Sequence, residues 1–133
     1  MTNVVGDTSV IVAAISSWHP SHLQAAKRMR GIASAISHTL AEAYSSLTRM
    51  PANQRTSEPD VITYFFDQFT HEISIPPYLN SLEELAQCGI SGGAIYDGLI
   101  ALAARNAGVK LLTLDQRAVD TYEAVGVLYE LLN

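Results

Sequence analysis

The amino-acid sequence predicts an α/β fold whose mainly parallel sheet is covered by helices on both faces. Short β-rich apolar segments alternate with helical segments along the chain, and parallel strands need such crossover helices between them. The chain has 133 residues, of which 48% are hydrophobic. That length and composition suffice for one buried core but not for two. We therefore expect residues 1–133 to form a single domain.

Five segments have the short, apolar, turn-bounded character of buried strands. The predicted strands are Asn3–Val5, Ile32–Ser37, Glu72–Ile75, Val109–Leu114 and Val127–Tyr129. Gly6 and Asp7 end the first of them, and two consecutive prolines stop the third. Strands of this length, separated by helices, favour a parallel sheet over hairpins.

Seven segments between and around these strands are predicted to be helical. They are Thr8–Ile15, Ser21–Arg30, Thr39–Arg49, Pro59–Phe69, Ser81–Gln87, Gly92–Asn106 and Gln116–Glu123. Ser81 and Glu84 have the spacing of a capping box, which predicts that Ser81 starts the fifth helix. Gly108 is expected to end the sixth helix, because glycine is favoured just after a helix C-terminus. The segment Pro51–Glu58 is the most loop-like part of the chain.

The composition excludes several classes of protein. The longest apolar runs, Val10–Ile15 and Leu99–Ala104, are far shorter than the roughly 20 residues that cross a bilayer. The first residues lack the basic and apolar regions of a signal peptide. Cys88 is the only cysteine, which excludes an internal disulfide and a cysteine-built zinc site. We therefore expect a cytoplasmic protein.

The net charge of −5 comes from 13 acids and 8 lysines and arginines. This balance disfavours a protein that coats nucleic acid through a basic surface. Without the four acids considered next, the remaining acids and bases nearly balance. The excess negative charge is therefore predicted to belong to a site.

Three of those acids are expected at one edge of the sheet. Asp7 directly follows the first strand, Asp115 follows the fourth, and Glu42 lies early in the helix after the second. The carboxyl ends of parallel strands meet at the same edge, where ligands bind in such folds. Each acid has an alternative structural role: Asp7 and Asp115 as helix N-caps, and Glu42 as the partner of Thr39 in a capping box.

Asp97 is the fourth acid and the only charged residue between Gly92 and Ala104. A helix this apolar is mostly buried, and a buried carboxylate needs a partner; a hydrogen-bonded structural Asp is the alternative. Carboxylates held together repel one another, and Mg²⁺ or Mn²⁺ would relieve that repulsion. Such a site suits metal-assisted hydrolysis of phosphodiester bonds.

Four segments together resemble the PIN domain, and within it the VapC-type toxin ribonucleases of bacterial toxin–antitoxin systems. They are Gly6–Ser9, the Leu-Ala-Glu-Ala-Tyr segment around Glu42, Tyr96–Asp97 in its apolar helix, and Leu111–Asp115. The resemblance covers essentially the whole chain. It implies a PIN-like three-layer α/β/α fold with a five-stranded, mainly parallel central sheet.

The same resemblance implies a Mg²⁺- or Mn²⁺-dependent endoribonuclease that acts as a homodimer and is neutralised by a small VapB-like antitoxin. It assigns the catalytic and metal-binding acids to Asp7, Glu42, Asp97 and Asp115. Ser9 and Thr113 match the supporting hydroxyl residues of the family. One departure is Gly6, which replaces a more usual aliphatic residue before the first acid and leaves the end of the first strand uncertain.

An acidic site that takes RNA needs bases near it to hold phosphates. Arg117 and Arg49 are the preferred candidates; the others are Arg55, Arg30, Lys27 and Arg28, of which the last two are better explained as ordinary surface charge. The remaining residues whose side chains could take part in binding or catalysis are better explained by structural roles. These are Cys88 as a packed residue, Asp120 on a solvated helix face, His38 in a loop, Trp18 as a partly buried anchor, and Tyr64, Phe65 and Phe69 in the core or a dimer interface. The alternatives are an auxiliary acid for Asp120, a substrate contact for His38, and base stacking or a partner contact for Trp18.

The sequence bears differently on three alternative functions. A receiver domain would need a phosphoacceptor Asp after the third strand and a Lys after the fifth, whereas Ile75-Pro76 and Tyr129-Glu130 stand there. A PIN nuclease that processes RNA outside toxin–antitoxin systems stays open, and an antitoxin-like reading frame just upstream would argue against it. A catalytically silent binding module is disfavoured because all four acids are present.

Overall fold

The computed structural model describes residues 3–133, which form five strands and seven α-helices. The strands are β1 (Val4–Gly6), β2 (Ser34–Ile36), β3 (His71–Ile73), β4 (Lys110–Thr113) and β5 (Tyr129–Leu131). The helices are α1 (Thr8–Ile15), α2 (His22–Met29), α3 (Ser37–Thr48), α4 (Glu58–Gln68), α5 (Tyr78–Gln87), α6 (Ala94–Ala107) and α7 (Val119–Val125). A 3₁₀ turn, Gln116–Ala118, precedes α7.

The strands form two parallel sheets, so the predicted five-stranded sheet is wrong. One sheet has the order β1-β4-β5, and the other pairs β2 with β3. β1 and β2 lie beside each other, but no ladder hydrogen bonds join them. Val5 of β1 and Ile36 of β2 are fully buried in the same apolar cluster. Strands of three residues offer few ladder hydrogen bonds, which makes such a division possible.

Both faces of the larger sheet are covered, as the sequence predicts. Val4 and Leu112 belong to an apolar cluster with α1, α2 and α3, whereas Val5 and Leu111 belong to a second cluster with α6 and α7. Adjacent strand residues point to opposite faces, and the pairing of Val5 with Leu111 keeps each face apolar. The chain is therefore an α/β fold with helices on either side of its sheet.

Gly6 belongs to β1, which ends one residue later than predicted. A Cβ atom at this position would lie 2.9 Å from Sδ of Met29 and 3.2 Å from Cγ1 of Val10. These two side chains occupy the space that an aliphatic residue would need. The packing around position 6 therefore accommodates a glycine where the family more usually has an aliphatic residue. Asp7 still follows the strand directly.

Both predicted capping boxes are wrong, because the helices begin earlier. The helix α3 starts at Ser37, and the hydroxyl of Thr39 donates to the carbonyl oxygen of Ile36 at 2.6 Å. The helix α5 starts at Tyr78, and the hydroxyl of Ser81 donates to the carbonyl oxygen of Pro76 at 3.2 Å. Both residues therefore lie inside their helices, and the N-cap positions belong to Ile36 and Pro77.

The end of α6 agrees with the sequence prediction. Gly108 adopts φ 71° and ψ 28°, the left-handed conformation that glycine tolerates best after a helix. Within residues 3–133, no helix is both long and apolar enough to cross a membrane.

Candidate active site

The structure brings the four predicted acids to one cleft with a volume of about 390 Å³. We call this the acid cleft. Its lining residues are Asp7, Thr8, Ser9, Ala41, Glu42, Ser45, Ser46, Arg49, Asp97 and Asp115. The cleft lies where β1 and β4 end and α6 begins, and one side of it runs along α3. This is the sheet edge that the strand-end positions predict.

Asp7 is the most deeply enclosed of the four acids, with 4% of its surface exposed. Its Oδ1 accepts hydrogen bonds from Oγ of Ser9 at 2.5 Å and from the backbone N–H of Val10 at 3.3 Å. Its Oδ2 accepts from the hydroxyl of Tyr122 at 2.7 Å. Asp7 therefore caps α1, as its alternative structural role predicts, and also presents its carboxylate to the acid cleft.

Burial raises the pKa of Asp7 above its ordinary value of 3.8. The hydroxyls of Ser9, Thr113 and Tyr122 and the Val10 amide act in the opposite direction, but burial is the largest cause. A buried carboxylate costs free energy unless a positive charge balances it. This position thus favours a cation in the cleft.

Ser9 and Thr113 both connect the ends of β1 and β4. The Ser9 hydroxyl that donates to Asp7 also accepts from the backbone N–H of Leu114 at 2.9 Å. Oγ1 of Thr113, which is fully buried, accepts from the backbone N–H of Asp115 at 3.0 Å. The two hydroxyls assigned supporting roles by the resemblance therefore fix the backbone next to two of the acids.

Glu42 is held by two neighbours that the sequence analysis did not assign to it. Its Oε1 accepts from the hydroxyl of Thr8 at 2.7 Å, and its Oε2 lies 3.7 Å from Nε2 of His38. His38 is the second residue of α3 rather than a loop residue, and its ring stacks on Tyr96 at 6.2 Å between centroids. The i,i+4 spacing of His38 and Glu42 was a sequence signal for this contact. No sequence signal pairs Thr8 with Glu42.

Asp97 lies in the first turn of α6, not several residues inside the helix as predicted. Burial raises its pKa to about 6, and repulsion from Asp7, Asp115 and Glu42 adds to the shift. Arg117 acts in the opposite direction, but more weakly. Asp97 therefore lies close enough to the other three carboxylates to be repelled by each of them.

Asp115 follows β4 and caps the 3₁₀ turn. Its Oδ1 accepts from the backbone N–H of Arg117 at 3.0 Å and lies 3.5 Å from Nε of the same residue. The Arg117 side chain is 94% exposed, so it remains available for an anionic ligand at the edge of the cleft. Asp115 therefore both caps a helical turn and lines the acid cleft, as Asp7 does.

The donor set of the acid cleft fits a hard divalent cation. Oxygen ligands from carboxylates are those that Mg²⁺ and Mn²⁺ take, and a divalent charge would offset the repulsion that raises the pKa of Asp97. Across residues 3–133, no three His, Cys, Asp or Glu side chains already stand at the spacing of a metal cluster. The four acids thus line the same cleft, but three of them do not surround one point at the spacing of metal ligands.

The predicted phosphate-binding bases divide into two groups. Arg49 lines the acid cleft and donates to Oγ of Ser45 at 3.1 Å, and Arg117 stands at its edge. Arg28 instead pairs with Glu130, which also lies 3.4 Å from Lys110, so Arg28 serves the surface as predicted. The hydrogen bond from Arg28 lowers the pKa of Glu130 to about 2.

The other residues singled out from the sequence lie outside the acid cleft, in positions that indicate structural roles. Trp18 is 38% exposed and donates from Nε1 to the carbonyl oxygen of Gln54 at 3.0 Å, consistent with a partly buried anchor. Cys88 packs against the cluster of α6 and α7, and Asp120 is exposed, as predicted. Phe65 and Phe69 pack into the other apolar cluster.

The fold and the acid cleft define an α/β protein with a carboxylate-lined site at the ends of its strands. The family model for the PIN domain matches residues 4–124. The chain therefore belongs to the PIN-domain family.

Known relatives agree with this assignment over nearly the full chain. It is 37% identical over 132 residues to a protein named Ribonuclease VapC40 from Mycobacterium tuberculosis, covering 97% of this chain and 98% of the relative. The crystal structure of VapC20 from Mycobacterium tuberculosis, described as a sarcin–ricin loop cleaving toxin, superposes with a TM-score of 0.69 at 16% identity, covering 94% and 96% of the two chains. A DNA-bound VapBC structure from Salmonella typhimurium gives a TM-score of 0.66 at 20% identity, covering 98% of each chain. At these identities the structures show a shared fold.

Proposed function

We propose that this protein is a VapC-type toxin endoribonuclease, built as one PIN domain over residues 1–133, that hydrolyses phosphodiester bonds in RNA. The observation that carries the proposal is the convergence of Asp7, Glu42, Asp97 and Asp115 on one cleft. The sequence supports the same proposal, because the chain is 37% identical over 132 residues to a protein named as a ribonuclease. A site with four acids and two nearby arginines suits an anionic substrate only when a cation balances the acids.

In the proposed site, Asp7, Asp97 and Asp115 ligate a Mg²⁺ or Mn²⁺ ion, and Glu42 ligates it or orients water beside it. Such an ion, when bound, acidifies water for attack and offsets charge on the phosphate and the leaving oxygen. The protein's own contribution is orientation. Three donors fix the Asp7 carboxylate, and Thr8 with His38 holds Glu42.

Arg49 and Arg117 are proposed to hold RNA phosphates on either side of the acids. Arg49 lies at the end of α3 and lines the acid cleft, whereas Arg117 follows β4 beside Asp115. Guanidinium groups suit phosphate because they donate several hydrogen bonds in a plane. This placement gives the substrate a cationic contact at two ends of an otherwise anionic site.

The proposed partner is a small VapB-like antitoxin, and the proposed working form is a cytoplasmic homodimer. Structural similarity to VapBC assemblies supports such a partner. A nuclease that degrades cellular RNA needs an inhibitor in the cell that makes it, which is the second reason for this part of the proposal.

The test is cleavage of total cellular RNA by the purified protein in Mg²⁺, in Mn²⁺ and in EDTA, with the cut sites mapped by sequencing. Wild-type protein is expected to cut at defined positions with either ion and to stop in EDTA. Asp97→Asn is expected to be inactive while it remains folded by circular dichroism. Equal cleavage in EDTA, or by Asp97→Asn, would contradict the proposed site.

A further inference from the structure

A second cavity, with a volume of about 590 Å³, opens directly beside the acid cleft. The two share Thr8, Ser9, Ser46 and Asp115 as walls. The complete lining of the second cavity is Thr8, Ser9, Val12, His19, Ser21, Ser46, Met50, Leu114, Asp115, Arg117, Leu132 and Asn133. We propose that this cavity binds one unpaired nucleobase of the RNA, that of a nucleotide next to the scissile phosphate. This inference rests on the proposed ribonuclease function.

The lining of the second cavity differs from that of the acid cleft. Of its charged side chains, Asp115 belongs to the boundary with the cleft, and Arg117 lies beside Asp115. Beyond that boundary, the apolar side chains of Val12, Met50, Leu114 and Leu132 combine with hydroxyls. A nucleobase has two apolar faces and a polar edge, so it needs this combination of surfaces. A phosphate or a carboxylate would find no cation deep inside the cavity.

His19 supplies an ordered ring at this cavity. Its Nδ1 accepts from the backbone N–H of Ser21 at 3.0 Å, which leaves Nε2–H as the donor of the ring. The ring lies 5.6 Å from that of Trp18, which is anchored by its bond to Gln54. The ring is thus fixed before any ligand arrives, and stacking on a fixed ring loses little side-chain entropy.

The positions of the two arginines give the RNA a path through both spaces. Arg49 lines the acid cleft only, and Arg117 lines the second cavity only. A strand held by both arginines would pass over the acids. The nucleotide on the Arg117 side then lies at the mouth of the second cavity, where its base can enter. A base inside a duplex must first unpair and unstack before it can enter such a pocket, so the site favours single-stranded RNA.

The first test uses a short RNA spanning a mapped cut site, in which one base at a time is removed to leave an abasic nucleotide. Loss of one base next to the cut is expected to lower kcat/KM about tenfold in the wild type, the size typical of a stacked base. His19→Ala and Met50→Ala are expected to shrink this effect. His71→Ala, a change at an exposed histidine on β3, is expected to retain it in full. Abasic positions without effect, or equal effects in all four proteins, would overturn the proposal.

The second test does not depend on cleavage. The chain has four histidines, whose ring resonances can be followed by NMR as each of the four nucleoside 5′-monophosphates is added in EDTA. The His19 resonance is expected to shift in a saturable way and the His71 resonance to stay in place. Inorganic phosphate at the same concentration is the control for an effect of charge alone. If no monophosphate moves His19, or if phosphate moves it equally, the cavity does not bind bases. Absence of any RNA cleavage together with a shifted His19 would refute the ribonuclease proposal alone.

Discussion

The hydroxyl of Tyr122 donates a 2.7 Å hydrogen bond to Oδ2 of Asp7, joining residues that are 115 positions apart in the chain. Tyr122 is fully buried and Asp7 nearly so, and no solvent can replace the bond if it is removed. The last helix of the fold therefore sets the orientation of the first acid of the site.

Tyr122→Phe is expected to lower the rate of RNA cleavage about tenfold and the free energy of unfolding by about 1–3 kcal/mol, the usual range when a buried charged group loses a hydrogen bond. Initial rates and urea unfolding measure these two effects, and calorimetry measures the affinity for Mn²⁺. Tyr129→Phe is the matched control, because its hydroxyl bonds to exposed Glu123. An unchanged rate and Mn²⁺ affinity in Tyr122→Phe would show that Asp7 is positioned without this bond.

Asp97→Asn is expected to abolish cleavage and yet stabilise the metal-free protein at neutral pH. The pKa of Asp97 rises from an ordinary 3.8 to about 6 in the folded state. The native state therefore binds more protons than the unfolded chain between these values, and stability falls as the pH rises through this interval. Above about pH 6 the folded protein bears the full free-energy cost of an ionised Asp97. A neutral Asn at this position has no such cost.

The size of that gain is set by partial burial. Discounting the shift for solvent screening, we expect Asp97→Asn to be more stable than the wild type by on the order of 1–2 kcal/mol near pH 7.5 in EDTA. The difference should vanish near pH 3.5, where both forms are neutral. Urea unfolding at the two pH values measures it, and a wild type that is more stable at pH 7.5 would contradict the expected repulsion. Mg²⁺ should stabilise the wild type more than the variant.

Arg49→Gln and Arg117→Gln are each expected to weaken RNA binding and to reduce its salt dependence. Each lost phosphate contact on a single strand removes about 0.7 from the slope of log K against log salt. Fluorescence anisotropy of a labelled RNA with Asp97→Asn as the background measures both quantities. Arg30→Gln is the matched control, since Arg30 is exposed at the end of α2 and outside both cavities. A slope that changes equally in all three variants would indicate a diffuse charge effect.

Gly98→Ala is expected to destabilise the packing of α5 against α6. A Cβ atom at Gly98 would lie 2.8 Å from Cδ2 and 3.1 Å from Cδ1 of Leu85, which is fully buried. Overpacking of this kind costs about 1–3 kcal/mol. Gly93→Ala provides the comparison: its helical φ of −64° and open surroundings admit a methyl group. Thermal unfolding of the two variants should therefore differ, and equal melting temperatures would refute the steric argument.

The location of the acids could be predicted from sequence because it follows from strand polarity. Asp7 and Asp115 directly follow strands, so any parallel arrangement brings them to one edge. The contacts of Glu42 could not be predicted in the same way. Its partner Thr8 lies on another helix, and their approach depends on how α1 packs against α3. Tyr122 was missed for a similar reason, since its bond to Asp7 spans the whole core.

The helix starts and the sheet show where local patterns fail. Thr39 and Ser81 stand at capping-box spacing, but their hydroxyls bond to carbonyl groups before them, because their helices begin two and three residues earlier. The alternation of strands and helices predicts parallel pairing, which is confirmed for each pair in the structure. It carries no information on whether β1 and β2 exchange hydrogen bonds, since that depends on a small separation between their backbones.

The side-chain contact between β1 and β2 has a consequence for how the molecule opens. The β2–β3 pair, which includes Ile36, can separate from Val5 of β1 without breaking a ladder bond in the three-stranded sheet. Such an excursion would carry away α3, and Glu42 with it, while Asp7 and Asp115 keep their places. Amide protons of β2 and β3 should therefore exchange with deuterium sooner than those of β4, which is flanked by strands on both sides. One of the four acids would then leave the others well before the chain unfolds as a whole.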